Sequence, residues 1–247
     1  MVDYLLNKQV SIQQPTDAFR TGLDAVLLSA VMPRVKGKVL DVGCGVGAVS
    51  LCYGIWHKDI VQITGLELHE TFAKYAMRNV RDNNLQNHIS IVNADIGLRP
   101  FGSDVFNGVM TNPPFEKSEC ADRANKTLKD IANIEGTVNL NEWIKHCMHA
   151  LKMRGIFAII HKMERLDSIL HALHGVAGDV HILPIQTKQG IAPKRVIVVC
   201  RKGIKTGVTM LPVLALQNTE GSYTKITKAI LNGTIHLDIF NNKEWNW

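Results

Sequence analysis

Residues 38–51 read KVLDVGCGVGAVSL. An apolar run ends at Gly43, Gly45 and Gly47, and a helical pattern begins near Val46–Ala48. Glycines at alternate positions permit a tight turn and a close approach of a ligand to the backbone, with a helix N-terminus directly behind. A strand entering a helix through such a turn predicts the first unit of a βαβ sheet. By letters Gly43, Gly45 and Ala48 also satisfy G-x-G-x-x-G/A, so this turn alone leaves a nicotinamide or flavin enzyme open.

The alternation continues downstream. Strand-like runs QITGLEL, ISIVNAD, VFNGVMTN, GIFAIIH, DVHILPI and RVIVVCR are separated by helical patterns such as ETFAKYAMRNVRDNN, LNEWIKHCMHALK and MERLDSILHALHG. With KVLDVG this gives seven strands of a mostly parallel sheet carrying helices on both faces. The last strand follows a loop rather than a helix, and is therefore expected to be antiparallel. Residues 1–36, with the helical segment GLDAVLLSAVM, and residues 203–247, with YTKITKAILNGTI, flank the core at 38–201. Both are too short to stand alone, so 1–247 is expected to be one domain.

Composition narrows the class. The chain has 247 residues, of which 46% are apolar and 20% charged, enough for a sizeable core. No apolar run reaches eighteen residues and the N-terminus has no signal-peptide pattern, so a cytoplasmic protein without a membrane span is expected. Five cysteines (Cys44, Cys52, Cys120, Cys147, Cys200) show no C-x-x-C spacing, which fits reduced thiols and no structural zinc. His146 and His149 lie three apart on a predicted helix without a third ligand, so no metal is expected. The net charge of +6 is compatible with a polyanionic partner.

Acidic residues follow three consecutive strands. Asp41 lies at the glycine turn, where a pyrophosphate would meet an anion that a cationic or zwitterionic ligand tolerates better. Glu67 comes 20 residues after Gly47 and suits the hydroxyls of a ribose. Asp95 ends the third strand, where an acidic residue can also simply cap a turn. The fourth strand ends in Asn112-Pro113-Pro114-Phe115. In isolation that is a Pro-Pro turn before an aromatic residue. Beside a cofactor cleft it supplies a side-chain carbonyl, a backbone carbonyl, two residues of fixed φ and a ring that can stack on an extruded base.

The glycine turn and the NPPF sequence, about 65 residues apart, together resemble class I S-adenosylmethionine-dependent methyltransferases, in particular the branch that methylates exocyclic amines of adenine or the amide of glutamine. IQQPTDAFRTGLDAVLLSAVM (12–32), with Thr21, Asp24, Leu27 and Leu28, and GSYTKITKAILNG (221–233) are similar to the ends of the bacterial family acting on adenine 37 of a valine tRNA. That resemblance implies a Rossmann-like fold and S-adenosylmethionine held by Thr21, Asp24, Asp41, Gly43, Gly45, Gly47, Glu67, Leu68, Asp95, Ile96 and Asn112. It implies catalysis by Asn112, Pro113, Pro114 and Phe115, and a tRNA substrate bound by a monomer. Glutamine-methylating relatives carry an added N-terminal domain, and ribosomal RNA guanine-methylating relatives a duplicated upstream half. Neither fits 36 residues before the first strand. A non-catalytic RNA-binding module would need neither motif. In the long loop 116–136, Lys117, Arg123, Lys126 and Lys129 can hold tRNA phosphates, with Lys188, Lys194 and Arg195 extending the patch, although five acids leave the loop near neutral overall.

Overall fold

Seven apolar runs form the core of the sheet in the computed structural model, which describes residues 2–16, 22–57, 59, 61–114, 138–237, 239 and 240. Five of them are parallel: β3 (Gly37–Val42), β4 (Val61–Glu67), β5 (Ile89–Asn93), β6 (Phe106–Thr111) and β7 (Leu151–Lys162). Next to them lie β8 (Ala177–Lys188) and β9 (Arg195–Lys202), and β9 inserts antiparallel between β7 and β8. The short link from β8 to β9 cannot carry a parallel crossover, which is why the last core strand runs backwards.

The chain leaves β3 towards β4 on one side and later returns to β6 on the other, so the strand order reverses between β3 and β6. In open α/β sheets ligands bind beyond the C-terminal ends of the strands at such a reversal. Register Val42↔Thr111 places the residues just before Gly43 and Asn112 side by side there.

Alternate residues of each strand serve two apolar layers, because a strand points successive side chains to opposite faces. Val39, Ile160 and Val199 face a layer with α1 (Leu23–Val31), α2 (Ala48–His57) and α3 (Glu70–Asp82). Leu40, Ile159 and Val198 face the other, with α4 (Leu140–Ala150) and α5 (Leu166–Leu173). In α3 the buried residues Phe72, Ala73, Ala76, Asn79 and Val80 recur at helical spacing and form its inner stripe.

The flanking segments are more ordered than their composition suggests. Residues 1–36 include a hairpin of β1 (Val2–Leu5) and β2 (Val10–Gln13) ahead of the expected helix α1. Its loop turns through Leu6, Asn7 and Lys8, all at positive φ, so the glycine that ordinarily marks such a turn is missing from the sequence. Residues 203–247 contribute β10 (Val208–Met210), β11 (Leu214–Gln217) and the expected helix, α6 (Lys225–Leu231). Both strands pair in parallel with β8, which extends the seven expected strands to a sheet of nine.

Candidate active site

The glycine turn is closed by its own backbone. Gly43 and Cys44 N–H both donate to the Leu66 carbonyl, at 2.8 and 3.0 Å, and Gly47 N–H donates to Cys44 O at 2.8 Å. Gly45 N–H donates to Glu67 Oε2 at 2.8 Å. Gly43, Gly45 and Gly47 all have positive φ, the region glycine enters without strain. A Cβ at Gly47 would touch Ala76 of α3, whereas one at Gly45 would meet none of the described residues within 4 Å, so the open side of the turn is at Gly45.

Two buried carboxylates stand behind it. Asp41, 1% exposed, accepts through Oδ2 from Ser50 N–H and Oγ–H, at 3.0 and 2.6 Å, and so caps the first turn of α2. Its Oδ1 is buried with no partner. Burial pushes the Asp41 carboxyl up to about 7, and nearby Glu67 adds to the rise. Burial raises Glu67 as well, although Gly45 and His69 N–H groups each bind one of its oxygens. A pyrophosphate would face two buried carboxylates here, and the Gly43, Cys44, Gly45 and Gly47 N–H groups are already engaged. A ligand with a sulfonium and an ammonium offsets the buried negative charge, and the donor set fits it.

The neighbouring strand ends complete the rim. Glu67 registers with Asn93 across β4 and β5, and Asn93 Nδ2 donates to the carbonyls of Glu67 and Leu68 at 2.8 and 2.9 Å. Leu68 is 41% exposed at this rim, while Ile96 is buried. Asp95 does cap a turn, accepting from Gly97 N–H at 2.7 Å at the start of the 3-10 helix Ile96–Leu98. Asp24 Oδ2 accepts from Arg195 Nε at 3.1 Å at the start of β9. Thr21, Phe115 and the lysines and arginine of the 116–136 loop lie outside the described residues.

Asn112 follows β6 directly. Among the described residues its Oδ1 is buried without a hydrogen-bond partner, Pro113 is buried and Pro114 is half-buried. An amide oxygen held in this way is an acceptor whose desolvation is uncompensated until a donor arrives.

Two residues escaped sequence reasoning. His161, fully buried near the end of β7, accepts from Lys162 N–H through Nδ1 at 2.8 Å and also interacts with the Pro114 backbone. Burial, with Arg165, Lys162 and Arg195 nearby, lowers it to about 4, so it stays neutral at physiological pH. Trp143 of α4 donates from Nε1 to Thr111 Oγ1 at 2.9 Å, and Thr111 donates to Val42 O at 2.8 Å. A buried histidine in an apolar strand and a tryptophan in an amphipathic helix both read as core, and only the tertiary contact distinguishes them.

A mostly parallel sheet whose order reverses beside a carboxylate-backed glycine turn has the fold of the class I methyltransferases. The family model of the methyltransferase small domain matches residues 21–173, and the chain belongs to that family. It is a methyltransferase. A relative from Bacteroides thetaiotaomicron is 28% identical over 200 residues, covering 77% of this chain and 80% of its own, and is named tRNA1(Val) (adenine(37)-N6)-methyltransferase. One from Photorhabdus laumondii bears the same name and is 24% identical over 223 residues, covering 88% of this chain and 89% of its own. A solved structure from Agrobacterium tumefaciens, described as a predicted O-methyltransferase, superposes with a TM-score of 0.73 at 20% identity over 87% of this chain and 99% of that one. The tRNA (m1A58) methyltransferase of Aquifex aeolicus superposes with a TM-score of 0.54 at 14% identity, over 78% of this chain and 73% of that one. At these identities the two structures speak to the fold.

Proposed function

We propose that this protein methylates the exocyclic N6 amine of an adenine in tRNA, with adenine 37 of a valine tRNA the first substrate to test. The observation that carries the reading is the buried Asn112 Oδ1 without a partner, next to a turn of two prolines and beside the glycine turn. The names of the curated relatives support the choice of tRNA.

The chemistry follows from the residues. An adenine amine is a poor nucleophile because its lone pair is delocalised into the ring. Asn112 Oδ1 accepts one of its N–H bonds and the Pro113 carbonyl the other, which favours a pyramidal nitrogen with its lone pair free to attack. Pro113 and Pro114 fix their own φ, so the acceptors are preorganised and little freedom is lost on binding. S-adenosylmethionine, when bound, supplies an electrophilic methyl on a sulfonium. Asp41 and Glu67 hold the cationic ligand, Gly45 leaves room for it, and Leu68, Asp95 and Ile96 border it. Transfer forms the N–C bond as the S–C bond breaks, and the extra amine proton then passes to water. Phe115 stacks the base, and the protein acts as one domain, as a monomer in the cytoplasm.

The purified protein is incubated with methyl-labelled S-adenosylmethionine and unmodified total tRNA, and the RNA is digested to nucleosides. The expected product is N6-methyladenosine, reduced at least a hundredfold in Asn112→Ala, since removing one preorganised donor or acceptor costs about 10²–10³ in rate. Label in an added release factor or in ribosomal RNA, with none in tRNA, would overturn the substrate and keep the class.

A further inference from the structure

The two halves of the site are joined by one side-chain strut. Trp143 Nε1–H donates to Thr111 Oγ1 at 2.9 Å, and Thr111 Oγ1–H donates to the Val42 carbonyl at 2.8 Å. Thr111 is the last residue of β6 and immediately precedes Asn112, while Val42 is the last of β3 and immediately precedes Gly43. The Trp143 ring also rests on the turn itself, because a Cβ at Gly43 would come within 3.1 Å of its Cη2 and Cζ2 atoms. Gly43 therefore makes room for a ring of this protein, whereas Gly45 leaves its side of the turn open.

The far end of the strut is fixed too. Trp143 sits in the first turn of α4, closed by a capping box in which Asn139 Oδ1 accepts from Glu142 N–H at 3.0 Å and Glu142 Oε2 accepts from Asn139 N–H at 3.2 Å. Thr111 is fully buried, so its hydroxyl needs both partners, and the two bonds use its one donor and one of its acceptors. β3 and β6 already pair up to Val42↔Thr111. The strut holds the ladder closed at the point where both chains leave it.

We infer that Thr111 and Trp143 are positioning residues that fix the distance between the amine-accepting turn and the cofactor turn. The inference rests on the proposed amine methylation. In-line displacement is steep in this distance, and a misplacement of about 1 Å costs on the order of 10²-fold in rate. Both act through the turns that they hold.

The test is the Thr111→Val variant, which keeps the shape and removes the hydroxyl, with Thr111→Ser as the conservative rescue and Trp143→Phe as the other end. Single-turnover transfer to tRNA, the Kd for S-adenosylmethionine and the KM for tRNA are measured on each folded protein, and the Asn112 side-chain amide is followed by 15N NMR. Thr111→Val is expected to lose at least tenfold in kcat with Kd and KM within threefold. Thr111→Ser should stay within threefold of wild type, and Thr111→Val combined with Trp143→Phe should be no slower than the worse single variant. The Asn112 signal should shift or broaden in Thr111→Val. Wild-type kcat and an unmoved Asn112 signal in Thr111→Val overturn the inference, as does a loss of kcat matched by equal losses in Kd or melting temperature. If the wild-type protein transfers no methyl to adenine, the functional reading fails, and the Asn112 signal still decides the strut.

Discussion

Asp41 shows how one side chain can serve the fold and oppose it. One oxygen caps α2 through Ser50, the other is buried without a partner, and the carboxyl is pushed up to about 7. Between the ordinary value of 3.8 and about 7 the folded chain holds a proton that the unfolded chain has released. The stability this group contributes is thus present at acid pH and lost as the pH rises through about 7. At 1.36 kcal/mol for each tenfold change in acidity, that rise corresponds to at most roughly 4 kcal/mol. Asp41→Asn is therefore expected to melt within a degree or two of wild type near pH 5 and several degrees above it at pH 8. A cationic cofactor favours the ionised form, so binding near pH 6.5 should release a proton from wild type and not from Asp41→Asn. Calorimetry in two buffers of different ionisation enthalpy measures this. Equal proton release by both proteins would move the coupling to another group.

Helix α3 does for the N-terminal hairpin what a neighbouring strand would do. Asn79 Oδ1 accepts from Gln13 N–H at 2.8 Å, and its Nδ2 donates to Gln13 O and Val46 O, both at 2.9 Å. One turn later Asn83 repeats the pattern on Ser11, accepting at 2.9 Å and donating at 2.7 Å. Asn79 thus ties β2 to the glycine turn. Replacing it with alanine leaves three backbone groups without partners, at about 1–3 kcal/mol for each one that stays buried. Asn79→Ala is expected to lose roughly 3 kcal/mol in urea unfolding and to speed hydrogen exchange at Gln13. A loss under about 1 kcal/mol would mean that water replaces the amide. No sequence pattern announces this arrangement, because an asparagine in a helix reads as a neutral surface residue. The glycine turn and Asn112-Pro113-Pro114 were legible because glycine and proline restrict the backbone by themselves. The long core strands were legible because their apolar runs exceed what a loop tolerates. Leu6–Lys8 and the three exposed residues of β10 carry no such mark, and Asp95 satisfies a capping pattern and a ligand pattern with the same letters.

At the scale of the whole molecule, the glycine turn and Asn112 lie at the C-terminal ends of β3 and β6, in the middle of the sheet, while the C-terminal segment attends to its β8 edge. There β10 and β11 lie end to end along the outer edge of β8, registering Val208 with Val180 and Leu214 with Ile185. β8 is twelve residues long and buried over most of its length, and a bare edge of that kind is a template for pairing with another chain. A chain ended after Gly203 should aggregate with an intermolecular β signature in infrared spectra, whereas one ended after Gln217 keeps both covering strands. The longer truncate loses α6 and with it stability, but should remain dispersed in light scattering. Equal aggregation of the two would assign the effect to lost stability alone. Two strands of three and four residues therefore act as a solubility device, and substitutions there would lower the amount of dispersed protein.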